Sequence, residues 1–184
     1  GEARHARFPD LILERVMEKM SKSRGNVVNP DDVIDEFGAD SVRLYEMFIG
    51  PLEKDAPWST DGIQGIYRFL QRCWRLIVDD SGEEPINRDL ARGPGSEEQR
   101  RLLARTIAGV TEDIEAMRFN TAISKLMVFV RDVTRGGGEL THDVAEKLVL
   151  MLAPLAPHLG EELWSRLGHA KTLAYEPWPE VESL

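Results

Sequence analysis

The amino-acid sequence predicts a mainly α-helical protein, a helical bundle preceded by a polar, basic loop and short helices. Three observations carry this. From Asn29 onward, apolar residues recur mostly at steps of three and four, the period of a helix with one buried face. Ser, Thr or Asn stands before these runs and Gly or Pro after them, the residues that start and stop helices. No apolar–polar alternation is extensive enough to build a sheet.

At the amino end, Leu11-Ile12-Leu13 followed by Val16-Met17 reads as a short strand entering an exposed loop, Lys19 to Asn26. Asn29-Pro30-Asp31-Asp32 marks a helix start, with Asn29 as cap and Pro30 in the first position, where its missing N–H costs nothing. The two acids face the positive helix end, and Gly38 stops the helix. Asp40 can cap a second helix from Ser41 to Phe48, with either Val42, Tyr45 and Phe48 or Leu44 and Phe48 spaced to pack inward and Gly50-Pro51 ending it. Residues 51–58 connect to a longer helix capped near Ser59 or Thr60. Its inward positions are Ile63, Ile66, Tyr67, Leu70, Cys73, Trp74 and Ile77.

Residues 79–95 hold Ser81-Gly82, Pro85 and Gly93-Pro94-Gly95 and are expected to be a mobile surface loop. Ser96-Glu97-Glu98-Gln99 is a capping-box pattern, and Leu103, Ile107, Val110, Ile114 and Met117 behind it predict a helix to about Met117. After a break near Phe119-Asn120, Ile123, Leu126, Met127, Val130 and Val133 mark another, ended by Gly136-Gly137-Gly138. Thr141 can cap a helix carrying Val144, Leu148, Met151 and Leu152, which Pro154 is expected to end or kink because it lacks a donor for the ladder. Pro157 opens the next, with Leu159, Leu163 and Leu167 inward and Gly168 closing it. The tail, Thr172 to Trp178, is extended in character, with Leu173, Tyr175 and Trp178 laid across the bundle. Four amphipathic helices from about residue 59 onward must pair their apolar stripes, which gives the bundle.

Composition narrows the function classes. No apolar run approaches the roughly 20 residues of a membrane span, and nothing at the amino end reads as a secretory leader. A soluble protein with no membrane partner is expected. The single Cys73 lies in an apolar helical pattern, as a buried thiol of a reducing, cytoplasmic protein would. The chain begins at Gly1 and not Met, which fits an excised segment. A net charge of −9 argues against a uniformly basic nucleic-acid binder. Local clusters of Lys and Arg decide that question, however, and not the sum.

Two clusters stand out. In Lys19 to Asn26, two ammonium groups and two hydroxyls sit beside Gly25, able to wrap a polyanion such as a triphosphate and neutralise charge moving onto its leaving oxygens. The bland alternative is a solvated basic turn. Arg68, Arg72 and Arg75 are four and three residues apart, on a face almost opposite Ile66, Leu70 and Ile77, where they could track an RNA backbone or be a solvated, salt-bridged face. Trp74 and Trp164 fall at core spacing, and Glu162 can pair with Arg166. His158 reads as a packed or capping residue, since no other His, Cys or acid lies at metal-ligand spacing.

Lys19-Met20-Ser21-Lys22-Ser23 is the complete KMSKS motif of class I aminoacyl-tRNA synthetases, and Arg24 to Pro30 resembles its usual flank. Asp31 to Asp40 resembles a segment shared by the leucine, isoleucine and valine enzymes. Ser41 to Ser59 and Gly62 to Leu76 resemble the leucine branch specifically, as do Phe119 to Ile123, Leu152 to Leu159 and Leu173 to Pro179.

The resemblance implies that residues 1–58 are the trailing part of a class I catalytic domain and 59–184 an anticodon-binding-type helical bundle with an extended tail. It implies leucine activation by ATP to leucyl-adenylate and pyrophosphate, then transfer of leucine to tRNA(Leu). On the matched positions, Lys19 and Lys22 would be catalytic. Lys19, Met20, Ser21, Lys22, Ser23 and Gly25 would bind ATP, with Met20 anchoring the loop and Gly25 permitting its closure. ATP is expected as substrate with Mg2+, and no metal site in this segment. Arg68, Arg72 and Arg75 would contact tRNA. The partners implied are tRNA(Leu), ATP, leucine and the remaining catalytic domain.

None of His5, His142, His158 and His169 lies in the HIGH-type motif that the family uses beside KMSKS, and no segment reads as an editing domain or as the small domain that follows the bundle. By itself the chain is therefore expected neither to activate leucine nor to edit. The isoleucine and valine branches, and a free-standing tRNA-binding helical module, are the alternatives.

Overall fold

In the computed structural model, which describes residues 3–14, 16–136 and 140–181, the chain divides into two units, 1–30 and 31–184. In the first, β1 (Ala3–Arg4) pairs antiparallel with β2 (Ile12–Leu13), Ala3 opposite Leu13 and Arg4 opposite Ile12. The connection is tied by His5 N–H donating to the Leu11 carbonyl (3.1 Å) and the Arg4 guanidinium to that of Pro9 (2.9 Å). The strand read from the sequence is thus Ile12–Leu13, and Val16 and Met17 lie outside it. A ribbon this short has no core, and Phe8, Leu11, Ile12, Val16 and Met17 are all more than half exposed.

The second unit is a helical bundle. Its helices are α1 (Pro30–Phe37), α2 (Ala39–Phe48), α3 (Thr60–Ile77), α4 (Glu97–Glu115), α5 (Phe119–Arg135), α6 (His142–Leu152) and α7 (Pro157–Arg166). Five of these follow residue 59, one more than the four counted from the sequence, with Pro154 lying between α6 and α7 and Pro157 opening α7 as read. α4 and α5 form a hairpin, α6 packs on α7 and α4, and α2 and α3 bridge α5 and α7. Leu44, Ile63, Ile66, Leu126, Phe129, Leu148 and Leu152 are fully buried between them.

The start signals work as local chemistry predicts. Ser59 and Thr141 accept from the N–H groups of Gly62 and Val144. Ser96 and Gln99 complete the capping box in both directions, at 3.2 and 3.4 Å. Within α3 the inward set differs slightly: Phe69 is buried, whereas Tyr67 is exposed and Trp74 half-buried under the Arg166 guanidinium, 5.3 Å from its ring centroid. Positions 67 and 74 flank the stripe centred on 66, 70, 73 and 77, and aromatic bodies fill such margins. Gly62 is required by packing, since a Cβ there would lie 2.7 Å from the Tyr45 ring.

Three readings are corrected. Residues 79–95 are not all irregular: β3 (Val78–Asp79) pairs antiparallel with β4 (Ile86–Asn87). Arg88 Nε donates to the Arg75 carbonyl and Asn87 Nδ2 to that of Arg166, long-range ties that no local turn signal reveals. In the tail, Leu173–Tyr175 is a 3-10 turn and Tyr175 is 91% exposed. At roughly three residues per turn, 173 and 175 cannot share a face. Leu173 is buried, and Trp178 is tied to the bundle through its indole N–H to Thr111 Oγ1 (2.8 Å). The helix stop at Gly136 is observed, while Gly137 and Gly138 lie outside the described residues.

The third correction concerns Asp40. Gly38 occupies the cap position of α2, and Asp40 lies in the first turn, so its carboxylate cannot cap its own helix. It reaches α7, where it accepts from the backbone N–H groups of Leu159 (2.7 Å) and His158 (3.3 Å) and lies 2.9 Å from His158 Nδ1. α7 has no side-chain cap of its own, and a carboxylate suits its positive end. His158, read as a packed or capping residue, is neither: its side chain is exposed, and its own N–H is one of the groups capped by an acid 118 residues away in sequence. Asp40→Ala is expected to cost about 2 to 3 kcal/mol in urea unfolding, because it leaves two helix-end donors without an acceptor. A change below about 0.5 kcal/mol would show that water replaces the cap.

Candidate functional site

The basic loop is built by its own polar groups. Ser21 is extended, residues Lys22–Arg24 form one 3-10 turn, and Gly25 closes it at φ +66°, a left-handed conformation that favours glycine. Arg24 N–H donates to the Ser21 carbonyl and Gly25 N–H to that of Lys22, at 3.1 and 3.2 Å. Asn26 braces the turn from outside. Its Oδ1 accepts from Ser21 N–H (2.8 Å), and its Nδ2 donates to the Lys19 carbonyl (3.4 Å).

This arrangement sets the side chains. The Ser21 and Ser23 hydroxyls are 3.2 Å apart, and Arg24 is paired to Glu18. Lys19 and Lys22 are exposed and have no ion-pair partner among the described residues. Two unneutralised ammonium groups beside two hydroxyls can receive an anion without first breaking a salt bridge. The Met20 side chain is 42% exposed. Sequence reasoning gave no role to Asn26 or Glu18. An Asn following a left-handed Gly is the one local signal for the brace, whereas the Glu18–Arg24 pair depends on the turn being formed.

On α3, Arg68, Arg72 and Arg75 are all exposed on one face, as expected. They are not equivalent. Arg75 is paired to Asp80 at 3.1 Å, and Arg72 Nε donates to the Arg68 carbonyl (3.3 Å), which holds its guanidinium along the helix. Directly beneath, Cys73 is fully buried, and desolvation pushes its thiol up to about 12 against the opposing charge of Arg72. It is not a nucleophile.

The two clusters belong to different units, the loop to 1–30 and the stripe to 31–184. Among the described residues no group of three His, Cys, Asp or Glu could hold a metal ion, and no helix is long and apolar enough to cross a membrane. Trp164 is buried and stacked on His169 with ring centroids 3.7 Å apart, the packing role read for it. Glu162 pairs with Arg166 at 2.8 Å.

Residues 8–59 match the family model of class I tRNA synthetases (I, L, M and V), and residues 99–184 match that of the anticodon-binding domain of tRNA ligase. The chain is 51% identical over 171 residues to leucine–tRNA ligase 1 of Rhizobium johnstonii and 50% identical over 170 residues to leucine–tRNA ligase of Leptospira biflexa. Each alignment covers 92% of this chain but only 20% and 19% of the relative, so the chain spans about a fifth of their length. Among solved structures it is similar to LeuRS of Agrobacterium radiobacter K84 (agnB2) in a ternary complex with tRNA and LeuAMS. The TM-score is 0.72 and the identity 34%, over 89% of this chain and 22% of that one.

Proposed function

We propose, since this chain belongs to the leucyl branch of the class I tRNA synthetases, that it is part of a longer cytoplasmic enzyme that ligates leucine to tRNA(Leu) at the expense of ATP. Residues 1–58 contribute the KMSKS loop at the end of the catalytic domain, and 59–184 form the tRNA-contacting helical domain. The observation that carries this reading is the pair of exposed ammonium groups of Lys19 and Lys22, without an ion-pair partner among the described residues, on a turn braced by Asn26 and Gly25.

In the proposed reaction a leucine carboxylate oxygen attacks the α-phosphorus of ATP. The bond from that phosphorus to the bridging oxygen breaks, and its electron pair leaves with pyrophosphate. Lys19 and Lys22 meet the charge that develops there, while the Ser21 and Ser23 hydroxyls and the backbone N–H groups orient the phosphates. Met20 is proposed to seat against the remaining catalytic domain, which would cover its exposed side chain. Gly25 lets the turn move as the site closes. Any Mg2+ would be carried chiefly by the phosphates themselves.

The helical domain is proposed to meet the tRNA through Arg68 and Arg72, with Arg75 contributing less because Asp80 already neutralises it. Changing Arg68 and Arg72 together to Glu in the full-length enzyme is expected to weaken tRNA binding about tenfold or more at low salt and to flatten its salt dependence. Unchanged affinity in a filter-binding titration would remove the stripe from the interface.

A further inference from the structure

Helix α2 lies within residues 8–59, the segment matched to the class I tRNA synthetases, yet it is packed in the helical unit against α3, α5 and α7. Two of its charged residues, one turn apart, reach the same corner of that unit. Asp40 accepts from the Leu159 and His158 N–H groups at the start of α7, at 2.7 and 3.3 Å. Arg43 donates to the Pro154 carbonyl (3.2 Å), just past the end of α6. An acid thus meets the positive end of one helix, and a cation the carbonyl-rich end of the other. Pro154, His158 and Leu159 all lie in residues 99–184, the segment matched to the anticodon-binding domain.

The corner that they hold is closely packed. A Cβ on Gly160 would lie 2.8 Å from that of Ala153, so the end of α6 and the first turn of α7 cannot slide past each other without a clash. α2 is also fixed to the start of α3. Tyr45 Oη accepts from the N–H of Ser59, the α3 cap (2.7 Å), and its ring packs edge-on against Trp58 with centroids 4.9 Å apart. Leu44 and Tyr45 already bury the inner face of α2. What Asp40 and Arg43 add is direction, since hydrogen bonds have a preferred geometry and apolar burial does not.

We infer that Asp40 and Arg43 are positioning residues for the tRNA-dependent step: their clasp on the α6–α7 corner fixes the angle at which the helical domain is carried on α2, and so where a tRNA held by that domain presents its 3′ end. The inference rests on the reading of this chain as part of a leucine–tRNA ligase. Neither residue is placed against RNA or ATP, and each acts through the helix end it holds. Adenylate formation needs no tRNA, so a changed angle leaves it alone. Transfer needs the 3′ end at the adenylate, and a misplacement of about 1 Å can slow a reaction about 100-fold.

The test uses the full-length enzyme with Arg43→Ala, Asp40→Asn and both together. Asp40→Asn keeps the side-chain shape and one acceptor, and Arg43 is exposed, so the variants are expected to fold. Leucine-dependent ATP–pyrophosphate exchange is expected within about twofold of wild type in all three. Transfer of leucine from the enzyme-bound adenylate to tRNA(Leu), followed in a single turnover, is expected to slow about fivefold in each single variant and about twentyfold in the pair. The steady-state loss falls on kcat, with KM for tRNA within about twofold, because the surface that meets tRNA is unchanged. Wild-type transfer by the pair overturns the inference. So does an equal fall in exchange and transfer, which marks damage to the whole fold, and so does a loss confined to KM, which marks a lost RNA contact. If the wild-type enzyme itself fails to charge tRNA(Leu), the underlying reading has failed and not the clasp.

Discussion

Replacing Lys19 and Lys22 together by alanine in the full-length enzyme is expected to lower leucine-dependent ATP–pyrophosphate exchange by about 10³-fold or more, at the scale of losing a preorganised charge stabiliser. Both ammonium groups are exposed and have no ion-pair partner among the described residues, on a turn fixed by the Gly25 conformation and the two Asn26 hydrogen bonds. In the proposed reaction their charge would meet the departing pyrophosphate once the loop has closed on ATP. The loss should fall mainly on kcat, because charge on the leaving oxygens is greatest in the transition state. Lys22→Arg should recover part of it, since the charge returns but the point geometry does not. Exchange within twofold of wild type in the double variant would remove the loop from the chemistry.

Asp113→Ala should cost the helical unit about 3 kcal/mol, at the low end for breaking a buried ion pair because both cationic partners are partly solvated. The Asp113 side chain is 3% exposed. It meets Arg118 Nε at 2.9 Å and Lys125 Nζ, whose side chains are 46% and 41% exposed. Together these groups pin the corner between α4 and α5, where Met117 takes φ +58° and Arg118 N–H donates to the Asp113 carbonyl (2.7 Å). Burial alone would raise the Asp113 carboxyl, but hydrogen bonds from Lys125, Thr121 and Arg118 outweigh it and hold it below the usual carboxylate range.

The sign of the pH dependence follows. A folded-state pKa below the unfolded value of about 3.9 gives a contribution fully present above that value and lost as pH falls through the folded one. Urea unfolding of the chain and of Asp113→Ala should therefore show a constant difference from about pH 5 to 8 that shrinks in acid. A difference below about 1 kcal/mol at neutral pH, or one that stays constant down to pH 3, would contradict this role for Asp113.

Much of the architecture was written locally. The Ser96–Gln99 capping box, the Ser59 and Thr141 caps, Pro30 and Pro157 at helix starts, and Gly25, Gly38 and Gly168 with positive φ are signals whose meaning is settled within a few residues. The break after α4 was legible to within two residues, because the apolar period fails there. The loop was legible for the same reason, since its turn chemistry and its two lysines lie in one short string.

What the sequence by itself determined is the helical class, nearly every helix boundary and the identity of both basic clusters, because helix periodicity, capping and turn formation are interactions among near neighbours in the chain. Only the tertiary structure decided that Asp40 caps α7 and not its own helix, and that Asn87 and Arg88 tie down the segment after α3. Each of these joins groups far apart in sequence. Hydrogen bonding and electrostatics act on distance in space, and that distance is set only once the apolar stripes of the helices have paired.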